Sequence, residues 1–180
     1  MKLLIASDLH GSWEYVSRLS SRIEAEQPDK ILLLGDLLYH GPRNDLPMHY
    51  DTKAVAAYLN SIKSRLLCVR GNCDTEVDQM VLDFPILADY CLLELDGHTV
   101  FATHGHRFNR DSLPPMGMGE ILLHGHTHIP ENGICGDLRI LNPGSVSIPK
   151  AGSSHGYMTY EGGTFRWITL DGEVYDSVTL

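Results

Sequence analysis

No stretch of this 180-residue chain is apolar for long enough to cross a membrane. The apolar start, residues 1–7, holds for only five residues before Asp8 interrupts it, which is also too short for the core of a signal peptide. Basic residues are in short supply. Fourteen Lys and Arg face 23 Asp and Glu, for a formal charge of −9, and the 14 are scattered rather than clustered. A nucleic-acid surface needs clustered cations, so that class of partner is excluded, and no membrane partner is expected. The four cysteines, Cys68, Cys73, Cys91 and Cys135, form no CxxC pair and no disulfide framework. Cys68 and Cys91 lie inside apolar runs and read as buried thiols. These absences predict a reduced, cytoplasmic protein. Internal repeats, low-complexity tracts and linkers are missing too, so residues 1–180 read as one domain, large enough to bury roughly 70% of its unfolded surface.

What is present is a series of short apolar runs, each ending in polar, glycine-punctuated sequence. Residues 2–7, 31–34 and 66–69 read as buried strands. Between them, Val16, Leu19 and Ile23 recur at helical spacing after Ser12 as N-cap, and Val55, Leu59 and Ile62 recur after Asp51. Pro28-Asp29 ends the first of these helices. This β-α-β-α-β order predicts parallel pairing. A short helix near residues 78–82 follows, and then the texture changes. Residues 91–95 and 99–103 flank Asp96-Gly97 as a hairpin, a loop rich in proline and glycine runs to Met118, and strands are expected at 121–123, 138–141, 157–160, 165–170 and 174–180. The fold class expected is α/β: two mixed β-sheets packed face to face and flanked by helices, a four-layer αββα sandwich.

The histidines gather where residues 121–123 run out into His124-Gly125-His126-Thr127-His128. Alternate residues of an extended segment share a face, but Gly125 is expected to bend the chain, so the three need not share a target. Other apolar runs end in Asp8, His10, Asp36, Asn72 and His104. Each has an ordinary explanation alone, as a cap, a turn residue or an exposed histidine. Together with His126 and His128 they make seven donors at strand ends, where open α/β sheets bind ligands. Two carboxylates, one amide oxygen and four imidazoles exceed what one tetrahedral ion needs. They suit two divalent ions sharing a carboxylate, the arrangement that clamps an in-line phosphoryl displacement. Nitrogen and oxygen donors without thiolate favour Mn, Fe, Zn, Co or Ni over Ca.

Asp8-Leu9-His10, Gly35-Asp36, Gly71-Asn72-Cys73-Asp74, His104-Gly105 and Gly125-His126-Thr127-His128, in that order, resemble the five signatures of the calcineurin-like metallophosphoesterases. His40-Gly41-Pro42-Arg43-Asn44 and the run at residues 142–147 narrow the resemblance to the compact bacterial YfcE-type phosphodiesterases. The resemblance implies that Asp8, His10, Asp36 and His128 hold one metal. It also implies that Asp36 bridges to a second, held by Asn72, His104 and His126, with manganese the leading candidate. It leaves His124 without a role. It implies hydrolysis of a small phosphoester, best an aryl phosphodiester, by a hydroxide shared between the ions. Arg43 and His40 are then candidate phosphate contacts, His106 a candidate donor beside the second metal, and Asp74 a group that orients a ligand. Cys73 stands where many phosphatases of the superfamily have a histidine that assists the leaving group. A thiol is a poor substitute at neutral pH, which favours leaving groups that need little protonation. A homodimer is compatible with this branch. Two readings compete. A metallo-β-lactamase-like hydrolase would want HxHxDH where this chain continues into Ile129-Pro130. A non-catalytic protein-interaction scaffold on the same fold would not need all seven donors.

Overall fold

The computed structural model describes residues 1–114 and 121–180. Its elements are β1 (Leu3–Ala6), α1 (Trp13–Glu26), β2 (Lys30–Leu33), α2 (Thr52–Ser61), β3 (Leu66–Cys68), α3 (Glu76–Gln79), β4 (Tyr90–Leu95), β5 (His98–Thr103), β6 (Ile121–Leu123), β7 (Pro130–Cys135), β8 (Leu138–Pro143), β9 (Gly156–Glu161), β10 (Thr164–Thr169) and β11 (Val174–Thr179). Residues 115–118, the end of the loop read from the sequence, lie outside the described residues.

Two mixed sheets form. One has the order β11-β10-β9-β1-β2-β3, the other β4-β5-β6-β8-β7. In the first, β1, β2 and β3 pair in parallel while β9 and β10 run antiparallel to their neighbours. In the second, β6 pairs in parallel with both β5 and β8, and hairpins close the two edges. The period of two assigns each strand residue to a layer. Leu3 and Ile5 of β1 face the core between the sheets with Leu32, Val100, Ala102, Leu141 and Trp167. Leu4 and Ala6 face the other way, onto Val16, Leu19 and Ile23 of α1 and Val55 and Leu59 of α2. This is the α/β fold of mixed sheets flanked by helices that the pattern predicts. Among the described residues the helical cover lies on the first sheet. The outer face of the second carries Phe101, Leu122 and Ile140 under Phe108, from the loop after β5. Trp167 is buried, and its indole N–H donates to the Asn142 carbonyl at 2.7 Å. No helix is long and apolar enough to cross a membrane among the described residues.

Three local expectations differ from what forms. Ser12 occupies the N-cap position of α1, but its hydroxyl makes no cap and donates to the Met48 carbonyl at 2.6 Å. That bond ties the long loop after β2 to the exit of β1. The short helix forms at Glu76–Gln79, a little earlier than expected, because Thr75 and Asp78 make a capping box. Strand β7 is unanticipated. Pro130, Asn132 and Gly133 read as turn sequence, yet an edge strand bonded only to β8 tolerates proline at its first position.

Candidate metal centre

The parallel strands of both sheets end on the same side of the molecule, and every predicted donor sits just beyond one of those ends. β1 delivers Asp8 and His10, β2 delivers Asp36, β3 Asn72, β5 His104, and β6 His126 and His128. Asp8, His10, Asp36, His126 and His128 all have left-handed backbone, with φ of 59°, 45°, 56°, 68° and 61°. For residues other than glycine this costs on the order of 1–3 kcal/mol each and persists only where the surroundings enforce it. Here the exits of β1 and β2 are laced together: Asp8 N–H donates to Gly35 at 3.1 Å, His10 to Asp36 at 2.9 Å and Gly11 to Leu37 at 3.0 Å. The bend in the His124–His128 segment comes from His126 and His128 themselves. Gly125 is not left-handed; it is needed because any Cβ there would strike Ser7. Gly71 has the same function beneath the Asp36 carboxylate.

The rings are aimed by backbone carbonyls. His10 Nδ1 lies 2.8 Å from the Tyr39 oxygen, His104 Nδ1 2.7 Å from Leu34 and His128 Nδ1 2.6 Å from Ile148. A carbonyl only accepts, so each Nδ1 carries a proton, and Nε2 is the atom each ring turns to the centre, with a lone pair for a cation whenever the ring is neutral. His10 Nε2 and His128 Nε2 stand 3.3 Å apart, and His104 Nε2 is 3.2 Å from His126 Nδ1 and 3.1 Å from Asn72 Oδ1. Each carboxylate has one oxygen tied and one free. Asp8 Oδ2 accepts from the Ser7 hydroxyl and the His126 N–H, whereas Oδ1 is buried without a donor, 3.6 Å from His10 Nε2 and 3.3 Å from His128 Nε2. Asp36 Oδ1 accepts from the Cys73 N–H, and Oδ2 lies 3.7 Å from His10 Nε2 and 3.4 Å from His104 Nε2.

Two ligands about 2.1 Å from a common ion stand about 3.0–3.4 Å apart at octahedral or tetrahedral angles. The observed separations are at or slightly beyond that range, and the unpaired Asp8 oxygen has no other partner, so these residues fit cations. Asp8, His10 and His128 form one group able to hold an ion, and Asp8, Asp36 and His104 form another. A third group, His10, Asp36 and Cys73, includes a thiol that the sequence argument kept out of the donor set. The electrostatics agree. Burial alone would raise the Asp8 pKa, but the facing His10 and His128 rings hold it well below the usual carboxylate range. Burial disfavours the His104 cation, yet Asp36 and Asp8 overcome this and lift its pKa to about 9. His126, buried beside that cation, is pushed down to about 4.

The remaining predicted residues take different places. Arg43 lines a cavity of about 420 Å³ over the cluster, with Asn44, Thr127 and Lys150. His40 does not line it; its ring sits edge-on to Tyr39 and Tyr50, at 4.9 and 5.3 Å. His106 is half-buried, with its ring 5.4 Å from His104 and 6.2 Å from His126 and its Nδ1 unpartnered. Cys73 lines the cavity, and burial followed by the nearby Asp36 charge pushes its thiol up to about 12. Asp74 lies behind the cluster. Its carboxylate accepts the N–H groups of Asp36, Gly71 and Leu37 at 2.8, 2.8 and 2.9 Å, clamping the exit of β2 to the exit of β3. His124 is buried and turned away, with its Nδ1 3.3 Å from Asn142 Nδ2 and its Nε2 3.6 Å from Glu131. Sequence reasoning missed Lys150, which no local pattern marks; its N–H donates to the His128 carbonyl at 3.1 Å. The run at 142–147 works behind the site, where Ser145 and Ser147 hydroxyls donate to the carbonyls of Asp8 and Leu9.

The profile of the Calcineurin-like phosphoesterase superfamily domain matches residues 1–164. The chain belongs to that superfamily. Within it, the chain is 42% identical over 171 residues to phosphodiesterase YfcE of Escherichia coli, covering 95% of this chain and 93% of that one. A solved structure described as that of Yfce, a phosphoesterase from E. coli, superposes with a TM-score of 0.95 over 99% of both chains at 40% identity. A probable metallophosphoesterase of Bacillus subtilis, YsnB, is 26% identical, covering 87% of this chain and 82% of its own. Vps29 of Entamoeba histolytica, at 20% identity and a TM-score of 0.65 over 100% of this chain and 99% of its own, shares the fold alone.

Proposed function

We propose that this protein is a metal-dependent phosphodiesterase acting on small phosphoesters, with Asp8, His10, Asp36 and His128 holding one divalent cation and Asp36, Asn72, His104 and His126 a second. Manganese is the first choice, with Fe, Zn, Co and Ni behind it. The observation that carries this reading is Asp36 Oδ2, which is aimed at His10 from one half of the cluster and at His104 from the other. The cations supply Lewis acidity to the phosphoryl oxygens and an acidified water.

The chain's own groups do the rest. Arg43 and Lys150 bring positive charge to the rim of the cavity, where an anionic diester docks and charge builds on the departing oxygen. Asp74 acts as a positioning residue, holding the Asp36 and Asn72 loops in register. His106, with its ring beside those of His104 and His126, is the candidate proton donor to substrate at that edge of the site. In the metal-free protein, burial and the Asp36 charge push the Cys73 thiol up to about 12, which makes it a weak acid and favours esters such as aryl phosphodiesters whose alcohols depart as anions. A purely scaffolding role gains no support from a donor set kept whole at the cost of five left-handed residues. The test is turnover of bis(4-nitrophenyl) phosphate by protein loaded anaerobically with manganese or iron. Activity that appears with metal and vanishes with chelator is expected; none with any loaded metal would overturn the reading.

A further inference from the structure

Beside the cluster, on the other side of Cys73, runs a second concavity of about 340 Å³ whose walls are Tyr39 and Tyr50 from the loop after β2 and Val77 and Val81 from around α3, over a floor of Leu38. Val77 and Val81 are 70% and 52% exposed, an unusual fate for two aliphatic side chains on one short turn. Cys73 lines both concavities, so the groove adjoins the proposed reaction centre across that one side chain. The two differ in charge. Arg43 and Lys150 belong to the cavity, whereas among the described residues the groove has no cation and its one carboxylate, Asp78, already accepts from the Thr75 N–H and hydroxyl.

Resting on the phosphodiesterase reading, we propose that the groove seats the ester group that stays on phosphorus, and that this group is neutral and aromatic. In the hydrolysis, water's oxygen bonds to phosphorus and the bond from phosphorus to the departing oxygen breaks. One proton from the water is released to solvent. The products are a free alcohol or phenolate and a phosphomonoester still carrying the group in the groove. The departing oxygen gains negative charge, so it belongs at the cationic side, by Arg43 and Lys150. The retained ester gains none and suits a wall of phenol rings and valines beside a carboxylate. An aromatic ring also gains edge or stacking contacts with Tyr39 and Tyr50 that an alkyl group does not. Val77, Val81 and Tyr50 are therefore specificity-determining residues.

The experiment compares bis(4-nitrophenyl) phosphate with methyl 4-nitrophenyl phosphate, which share a leaving group and differ in the retained ester. The metal-loaded wild type is expected to favour the bis-aryl ester by about tenfold, chiefly in KM, which corresponds to about 1.4 kcal/mol. The V77S/V81S double variant changes two exposed side chains, and Tyr50→Ala is an independent second probe. In each, the preference is expected to shrink to about twofold through a raised KM for the bis-aryl ester. Equal losses on both esters, or a preference that survives both variants, would overturn the groove assignment and leave the phosphodiesterase reading standing. No turnover of either ester by the loaded wild type would sink both.

Discussion

The two halves of the cluster are built differently. Around Asp8, His10 and His128 everything is enclosed: the three residues are 0–3% exposed, and both rings are fixed from behind by carbonyls. Around Asn72, His104 and His126 only His104 is enclosed in that way. Asn72 is exposed, His126 is half-buried and turns Nδ1 rather than Nε2 inward, and both line the cavity, which His128 alone of the other three residues reaches. A site whose ligands are already oriented loses little freedom on binding, whereas a loosely held one must order its ligands at that moment. On the proposed assignment the enclosed half is therefore the tighter site, and the open half is the one where cation and substrate would exchange with solvent.

The change that should break this contrast outright is Asp36→Asn. With one oxygen aimed at both halves, its loss should empty both, lowering bis-aryl turnover at least about a thousandfold, or ~4 kcal/mol of transition-state stabilisation. Elemental analysis with steady-state kinetics checks this, and full occupancy of either half would remove the bridging role. Next in size, Asn72→Ala should strip only the open half, reducing bound metal from about two per chain to about one, whereas His128→Ala should release the tight ion first. Equal losses from the two variants would erase the asymmetry.

A third test uses protons. The pKa of His104 is raised to about 9 in the metal-free protein, so at neutral pH the ring holds a proton that a cation must displace. Metal affinity should therefore climb with pH towards about 9 and fall on acidification, with proton release measurable by calorimetry in buffers of different ionisation enthalpy. In the metal-free protein the sign of the stability effect is opposite. That proton's contribution is full below the ordinary histidine range and is lost as pH rises through about 9. Affinity that does not vary with pH would contradict this. Asp74→Ala leaves three buried N–H groups unanswered and should lower folding stability by about 1–3 kcal/mol, read as a lower Tm. The smallest effect is expected from Cys73→Ser: with activated aryl esters, turnover should change by no more than about threefold, because a 4-nitrophenolate departs without needing a proton from this side chain.

The donors were legible in the sequence because each follows directly on an apolar run that ends in glycine-punctuated sequence, so position along the chain and position at the sheet edge coincide. Asp8 and Asp36 are the plainest cases. Lys150 was illegible because it reaches the cavity through a carbonyl bond to a residue 22 positions earlier, which no local period records. Asp74 and His40 show a subtler limit. Their loops were identified, but the sequence does not say that three backbone N–H groups would occupy one side chain or that two tyrosines would hold the other. In the same way β7 was hidden, since turn-forming residues become a strand only when a neighbour such as β8 offers free carbonyls and N–H groups. The layers of the sheets were readable from alternation alone; which surface the helices cover had to come from packing.

The left-handed conformation shared by Asp8, His10, Asp36, His126 and His128 places durability and activity in opposition. Glycine relaxes more readily at such positions than histidine or aspartate. Random variants of this chain screened only for surviving heat, without cations, should accumulate glycine at these five places and emerge sturdier and inert.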